Sequence, residues 1–146
     1  MLARRAGAQF DYPDLSLEGS RGADLRGTNL RGANLTSTCL RRALLSKAPL
    51  NSAILAGADL SEADLHGADL SNSDLQGTNF TKANLEHANL GEANLKGAVL
   101  DGASLIGARI EGACLEGARL RATDLVGAKL HQLRVRARLA CPTYAA

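Results

Sequence analysis

Apolar residues recur at every fifth position through most of the chain. From Leu25 to Leu130, 22 successive positions spaced by five are filled by 20 leucines, Phe80 and Ile110. Two residues before each of these centres stands Ala in 17 of 22 cases, and the remaining five are the small residues Thr28, Thr38, Ser73, Thr78 and Thr123. The position just before the centre is commonly Asp or Asn, and Gly fills the second position after it in 11 of 22. Ala58-Asp59-Leu60-Ser61-Glu62 followed by Ala63-Asp64-Leu65-His66-Gly67 is representative.

This period excludes the two ordinary secondary structures. A helix turns about 100° per residue, so centres five apart advance by ~140° and scatter around its axis instead of forming a stripe. A continuous strand fails because five is odd, which sends successive centres to opposite faces. A broken strand satisfies the pattern. The small residue and the centre, two apart, share an inward face, and the residues that follow turn the chain before the next pair. Gly, Asn and Asp tolerate such corners. The chain must therefore coil, each pentad forming one side of a tube whose coils pair through backbone hydrogen bonds.

On these residues the sequence resembles the pentapeptide-repeat family, whose loose consensus is A(D/N)LXX, from residue 23 to 132 without an insertion. The resemblance implies an all-β fold, a right-handed quadrilateral β-helix with four pentads per coil, a number that periodicity alone does not supply. Twenty-two pentads then make about 5.5 coils, with a length on the order of 26 Å at the ~4.8 Å spacing of paired strands. Faces repeat every 20 residues. The organisation expected is an irregular N-terminal cap over 1–22, the repeat over 23–132 and a C-terminal cap or tail over 133–146. In the first segment Phe10 and Leu15 keep the phase while Glu18 and Ser20 break the pattern, and Phe10, Tyr12 and Pro13 supply capping bulk. In the last, Leu133-Arg134-Val135-Arg136-Ala137-Arg138-Leu139 alternates as an amphipathic strand does; a helix with Leu130, Leu133, Ala137 and Ala140 on one side is the other reading. Either can cover the last coil or pair with a second copy.

Composition agrees with a small-residue tube. The 146 residues fit one domain, aromatics are 3% with no Trp, and 45% are hydrophobic without an apolar run long enough to span a bilayer. The start, Met1 to Gly7, is basic but has no apolar h-region, so it is not read as a signal peptide; the remnant of an organelle transit peptide is the alternative. Cys39, Cys114 and Cys141 form an odd set without CxxC spacing, which fits a reducing compartment, and no oxidation is expected. The expected location is the cytoplasm or a soluble organellar compartment.

Because Ala and Leu fill the inward positions, any chemistry must sit on outward ones, with no cleft to perturb a pKa. No enzyme, cofactor or metal site is therefore expected. Two constellations stand against that background: His66, Glu86 and His87, which the 20-residue coil implied by the resemblance brings near one another as metal ligands, and Ser61, Asp64 and His66 as a hydrolytic triad. Unrelated exposed polar residues are the better reading of both, since an open face gives no orienting support to a metal-bound His and no oxyanion pocket.

The charge is balanced overall, 17 basic against 15 acidic residues, but banded. Residues 21–47 carry six basic and one acidic; 48–75 carry Asp59, Glu62, Asp64, Asp69 and Asp74 with no basic residue; 118–138 carry six basic and one acidic. The resemblance also brings in a functional class, the quinolone-resistance type, acidic dimers similar to B-DNA in shape and charge that bind DNA gyrase. Here four pentads per coil would make the acidic band a ring around the tube, whereas a duplex mimic needs charge along it. A topoisomerase-binding regulator is accordingly the alternative function.

The leading expectation is a non-catalytic structural or scaffold module that binds a protein partner or a second copy of itself. The breaks in the polar pattern mark where. Leu44, Pro49 and Ile54 replace the usual Asp or Asn around one coil, and Ile106 and Val126 lie 20 apart at one outward position. Arg134, Arg136 and Arg138 form a basic terminal stretch without interleaved aromatics, which favours a capping strand or a protein contact over nucleic acid.

Overall fold

The computed structural model describes residues 22–133. The two expected terminal segments lie outside that range except for Gly22 and Leu133, as do Arg134, Arg136 and Arg138. Within it, each pentad is an extended pair of residues closed by a two-residue turn, and the β-bridges are parallel and all join residues 20 apart, from Asp24↔Leu44 to Arg109↔Lys129. Four pentads thus complete one coil. The wall has four faces, named by the position before the centre: face one runs 24, 44, 64, 84, 104, 124; face two 29 to 129; face three 34 to 114; face four 39 to 119.

The inward pair forms one continuous core from Ala23 to Ala113, with leucine centres such as Leu45, Leu65 and Leu85 and the single ring of Phe80 fully buried. The small residue beside each centre is needed for space, because four centres per coil meet on one axis.

A wall one chain thick must satisfy every backbone N–H, and one pentad shows how it does so. The N–H of Ala58 closes the preceding turn on the Leu55 carbonyl at 2.9 Å. Asp59 donates backward to Thr38 of the previous coil at 3.0 Å, and Leu60 forward to Asn79 of the next at 2.8 Å. Glu62, at the end of the turn, donates forward to Thr81 at 2.9 Å. Only Ser61 is left without a backbone acceptor, and the Asp59 side chain takes that N–H at 3.0 Å.

The turn has a conformational requirement of its own. The second residue after every centre has positive φ, 11 of them Gly and 11 not, including Ser37, Arg42, Lys82, His87 and Glu92. This is the left-handed residue that a type II turn demands, costing a non-Gly residue roughly 1 kcal/mol relative to Gly. At Gly107 (φ 65°) an added Cβ would stand 2.6 Å from the ring of the exposed His87, which would have to swing aside.

The small inward hydroxyls separate into satisfied and orphaned. Thr78 donates to the Leu55 carbonyl and Thr123 to the Leu100 carbonyl, both at 2.8 Å, whereas the buried hydroxyl of Thr38 has no partner. An orphaned buried hydroxyl costs about 1–3 kcal/mol, and a satisfied one contributes about 1 kcal/mol. Thr38→Val is therefore expected to raise the thermal midpoint and Thr78→Val to lower it; calorimetry on the two variants checks the pair, and equal shifts would contradict the assignment.

Candidate interaction surface

The outward Asp and Asn side chains are engaged within the wall. All twelve Asp or Asn residues at the position before a centre accept the N–H two residues on, from Asp24 with Arg26 to Asp124 with Val126. These residues do more than tolerate the corners: each closes the one N–H that the coil pairing leaves over.

They also stack. The Asn79, Asn84 and Asn89 amides donate to the Asp59, Asp64 and Asp69 carboxylates of the coil before, at 3.1, 3.2 and 3.1 Å. The acidic band is thus a ring, with Asp59, Asp64, Asp69 and Asp74 on four successive faces and an amide ring, Asn79 to Asn94, on one side. On the other side lie Cys39, Leu44, Pro49 and Ile54, bridged to the same four aspartates. Carboxylates directly opposite one another would repel, so neutral neighbours on both sides suit a charged ring.

That register also shows what the apolar breaks are. Leu44, Pro49 and Ile54 sit on faces one, two and three and are half-buried, so they encircle the tube and do not make one patch. Ile106 and Val126 do come together. The Gly107 N–H donates to the Val126 carbonyl at 2.9 Å, which sets the two residues in register on adjacent coils; Ile106 is half-buried and Val126 is 69% exposed.

The chemistry candidates are occupied otherwise. The rings of His66 and His87 meet edge to face, centroids 5.6 Å apart, but the Glu86 carboxylate accepts the Ser104 hydroxyl at 3.0 Å. Among the described residues no group of three or more His, Cys, Asp or Glu is placed to hold a metal. Asp64 accepts the His66 backbone N–H and the Ser46 hydroxyl, so its oxygens are engaged away from an imidazole.

Ion pairs add local order at the surface. Glu62 accepts from Arg42 Nε at 2.8 Å and from Arg41 at 3.0 Å, and these hydrogen bonds hold its carboxyl below the usual range. The Arg26 guanidinium does the same for Asp24, lowering it to about 2. Sequence reading did not find the Glu62 cluster, because its partners stand 20 and 21 residues away and become neighbours only through the coil register.

One expectation is corrected. Cys39 is a free thiol, but Cys114 is disulfide-bonded, where reduced cysteines were expected. Cysteine count and the absence of CxxC spacing do not report the state of a single cysteine.

Parallel coils with a 20-residue register and a small-residue core define a β-helical solenoid. Pentapeptide repeats match in eight copies over residues 21–47, 45–81, 78–117 and 104–136, and the chain belongs to the pentapeptide-repeat family, whose members are right-handed β-helices. It is similar to the crystal structure of a pentapeptide repeat protein from the Arabidopsis thaliana thylakoid lumen, at 39% identity over 67% of this chain and 68% of that one, with a TM-score of 0.65. It is also similar to a pentapeptide repeat protein, Rfr23, from the cyanobacterium Cyanothece 51142, at 32% identity over 82% and 68% of the two chains, TM-score 0.48. The plasmid-mediated fluoroquinolone resistance protein QnrB1 matches at 21% identity over 88% and 73%, TM-score 0.40. No match was found among the curated proteins. Among the described residues no helix is long and apolar enough to cross a membrane.

The ladder makes a pH-dependent prediction. Asn84→Asp replaces an amide donor with a second carboxylate against Asp64 and should cost about 1 kcal/mol at neutral pH. The repulsion raises the folded-state pKa of the pair above its unfolded value, so the deficit should shrink as pH falls towards 4. Denaturant melts of variant and wild type between pH 7 and 4 check this; a deficit independent of pH would contradict the stacking.

Proposed function

We propose that the chain is a rigid, non-catalytic binding module, a tube of about 5.5 coils (22 pentads, four to a coil), that holds a protein partner through an outward face as part of a larger assembly. The observation that carries this reading is Val126, 69% exposed and in register with Ile106 on the adjacent coil. A stacked apolar pair on a stiff backbone is ready to bind without an ordering cost, and burial of such anchors is where interface energy concentrates. Arg121 and Lys129 stand exposed in the same final stretch and suit an acidic rim on the partner.

The topoisomerase-binding alternative draws less support. The carboxylates on which it would depend lie in a ring around the tube, half-buried, three of them bonded to amides of the next coil.

Capture by the full chain from its native source should recover a stoichiometric protein partner, and Val126→Glu or Ile106→Glu should weaken that capture at least tenfold, equivalent to about 1.4 kcal/mol. Leu44→Glu is a poorer probe, because Leu44 lies between Asp24 and Asp64 and a third carboxylate there would perturb the coil itself. Unchanged capture by both variants, with circular dichroism showing them folded, would place the contact elsewhere. At micromolar protein no effect on gyrase supercoiling is expected; inhibition would favour the alternative.

A further inference from the structure

His66, Glu86 and His87 do not come together as a set of three metal ligands, but the two histidines meet. His66 is the first residue after the Leu65 centre and His87 the second after Leu85, one coil further on. The coil register fixes both backbones at this corner. The Gly67 N–H donates to the Glu86 carbonyl and the His87 N–H to the Ile106 carbonyl, each at 2.8 Å. Across it the two rings stand edge to face, centroids 5.6 Å apart and planes at 84°.

The ring nitrogens are not committed elsewhere. Among the described residues neither imidazole makes a hydrogen bond or an ion pair, and the neighbouring Glu86 carboxylate accepts the Ser104 hydroxyl instead of orienting a ring. His87 is exposed and His66 half-buried, so the pair is open to solvent. What places His87 is a missing side chain. Its Nδ1 and Cε1 lie 2.6 and 2.7 Å from where a Cβ on Gly107 would stand, so the ring rests over that glycine and Nε2 is the freer nitrogen.

We propose that His66 and His87 form a two-imidazole site for a borderline divalent cation such as Zn²⁺ or Ni²⁺, which clips adjacent coils at the corner after face one. With a metal–nitrogen bond of ~2.0–2.1 Å and a nitrogen ~1.1 Å from its ring centre, two rings that share a cation stand roughly 5–6 Å apart, and the observed separation falls in that range. The χ2 torsion of His is broad, so rotation of a ring on a fixed backbone is the adjustment that binding requires. Water completes the coordination. Imidazole nitrogen selects such metals over Mg²⁺ and Ca²⁺, which take oxygen ligands. Asp64 and Glu86 add negative charge on the same two coils; Lys47, whose stem lies over Gly67, and Arg26, paired with Asp24, are the opposing charges of that corner. The stiff register and the Gly107 cradle take the place of the hydrogen-bonded carboxylate or carbonyl that usually orients a metal-bound imidazole.

The test titrates Zn²⁺ into the full chain, without a histidine tag, while NMR follows its three imidazoles. The expected result is a saturable shift of His66 and His87 together, with His131 unmoved and no response to Mg²⁺. His66→Gln and His87→Gln should each weaken binding read at the remaining ring at least tenfold. Gly107→Ala keeps both ligands but displaces the His87 ring, and should weaken binding at least threefold in protein that circular dichroism shows to be folded. The proposal is overturned by no shift at millimolar Zn²⁺, by a shift of one ring of the pair alone, by equal shifts of His131, or by binding confined to the Cys39 thiol, which would leave both rings unmoved. A folded Gly107→Ala variant that binds as tightly as wild type would also contradict it, by removing the pre-orientation on which the site is built.

Discussion

A polypeptide wall one residue thick has no second layer to satisfy its polar backbone, and the structure depends on how that demand is met. Four of the five N–H groups in a representative pentad find carbonyls in the same turn or in an adjacent coil, and the fifth finds the side chain of the Asp or Asn that is the second residue of the same unit. The pentad length follows from this arrangement. Two extended residues give one bridge and one inward pair, and a two-residue turn with a left-handed second position redirects the chain. Core packing by Ala and Leu then fills the axis. It is the hydrogen-bond register, 20 residues per coil, that decides which outward side chains meet.

Charge placement follows from the same register. The four aspartates of one coil would face carboxylates if the neighbouring coils repeated them; they face Asn79 to Asn94 on one side and Cys39, Leu44, Pro49 and Ile54 on the other. What looked along the sequence like an acidic band beside an apolar break is one arrangement, a charged ring between neutral rings. It also limits function, because these carboxylates serve the tube. The Ile106 and Val126 pair has no such structural duty, and for that reason it is the stronger candidate for contact.

Much of this was legible in the sequence, and the limits have physical causes. The inward pair, the exclusion of helix and continuous strand and the turn after each centre follow from spacing alone. The number of pentads per coil does not, since any closed polygon satisfies a period of five; it entered through the family resemblance and is seen in the bridges. The left-handed corner was readable where Gly stands and invisible at Arg42, Lys82 or His87, whose side chains give no sign of positive φ. The acceptor role of Asp59 and its counterparts was underestimated, because a side chain bonding its own backbone two residues on looks the same in sequence as one facing water. Contacts set by the coil register, such as Arg41 and Arg42 with Glu62, depend on long-range proximity and carry no local signal.

The central claim is that an Asp or Asn before a centre closes the one amide left over by coil pairing. Amide hydrogen exchange tests it directly, residue by residue, within one protein. Ser61, His66, Ser71 and Gln76 each follow an aspartate that accepts their N–H, whereas Ser46, Asn51 and Ala56 follow Leu44, Pro49 and Ile54, which cannot accept one. The account predicts that the first group exchanges at least tenfold more slowly than the second after correction for intrinsic rates. Equal protection in the two groups would contradict it.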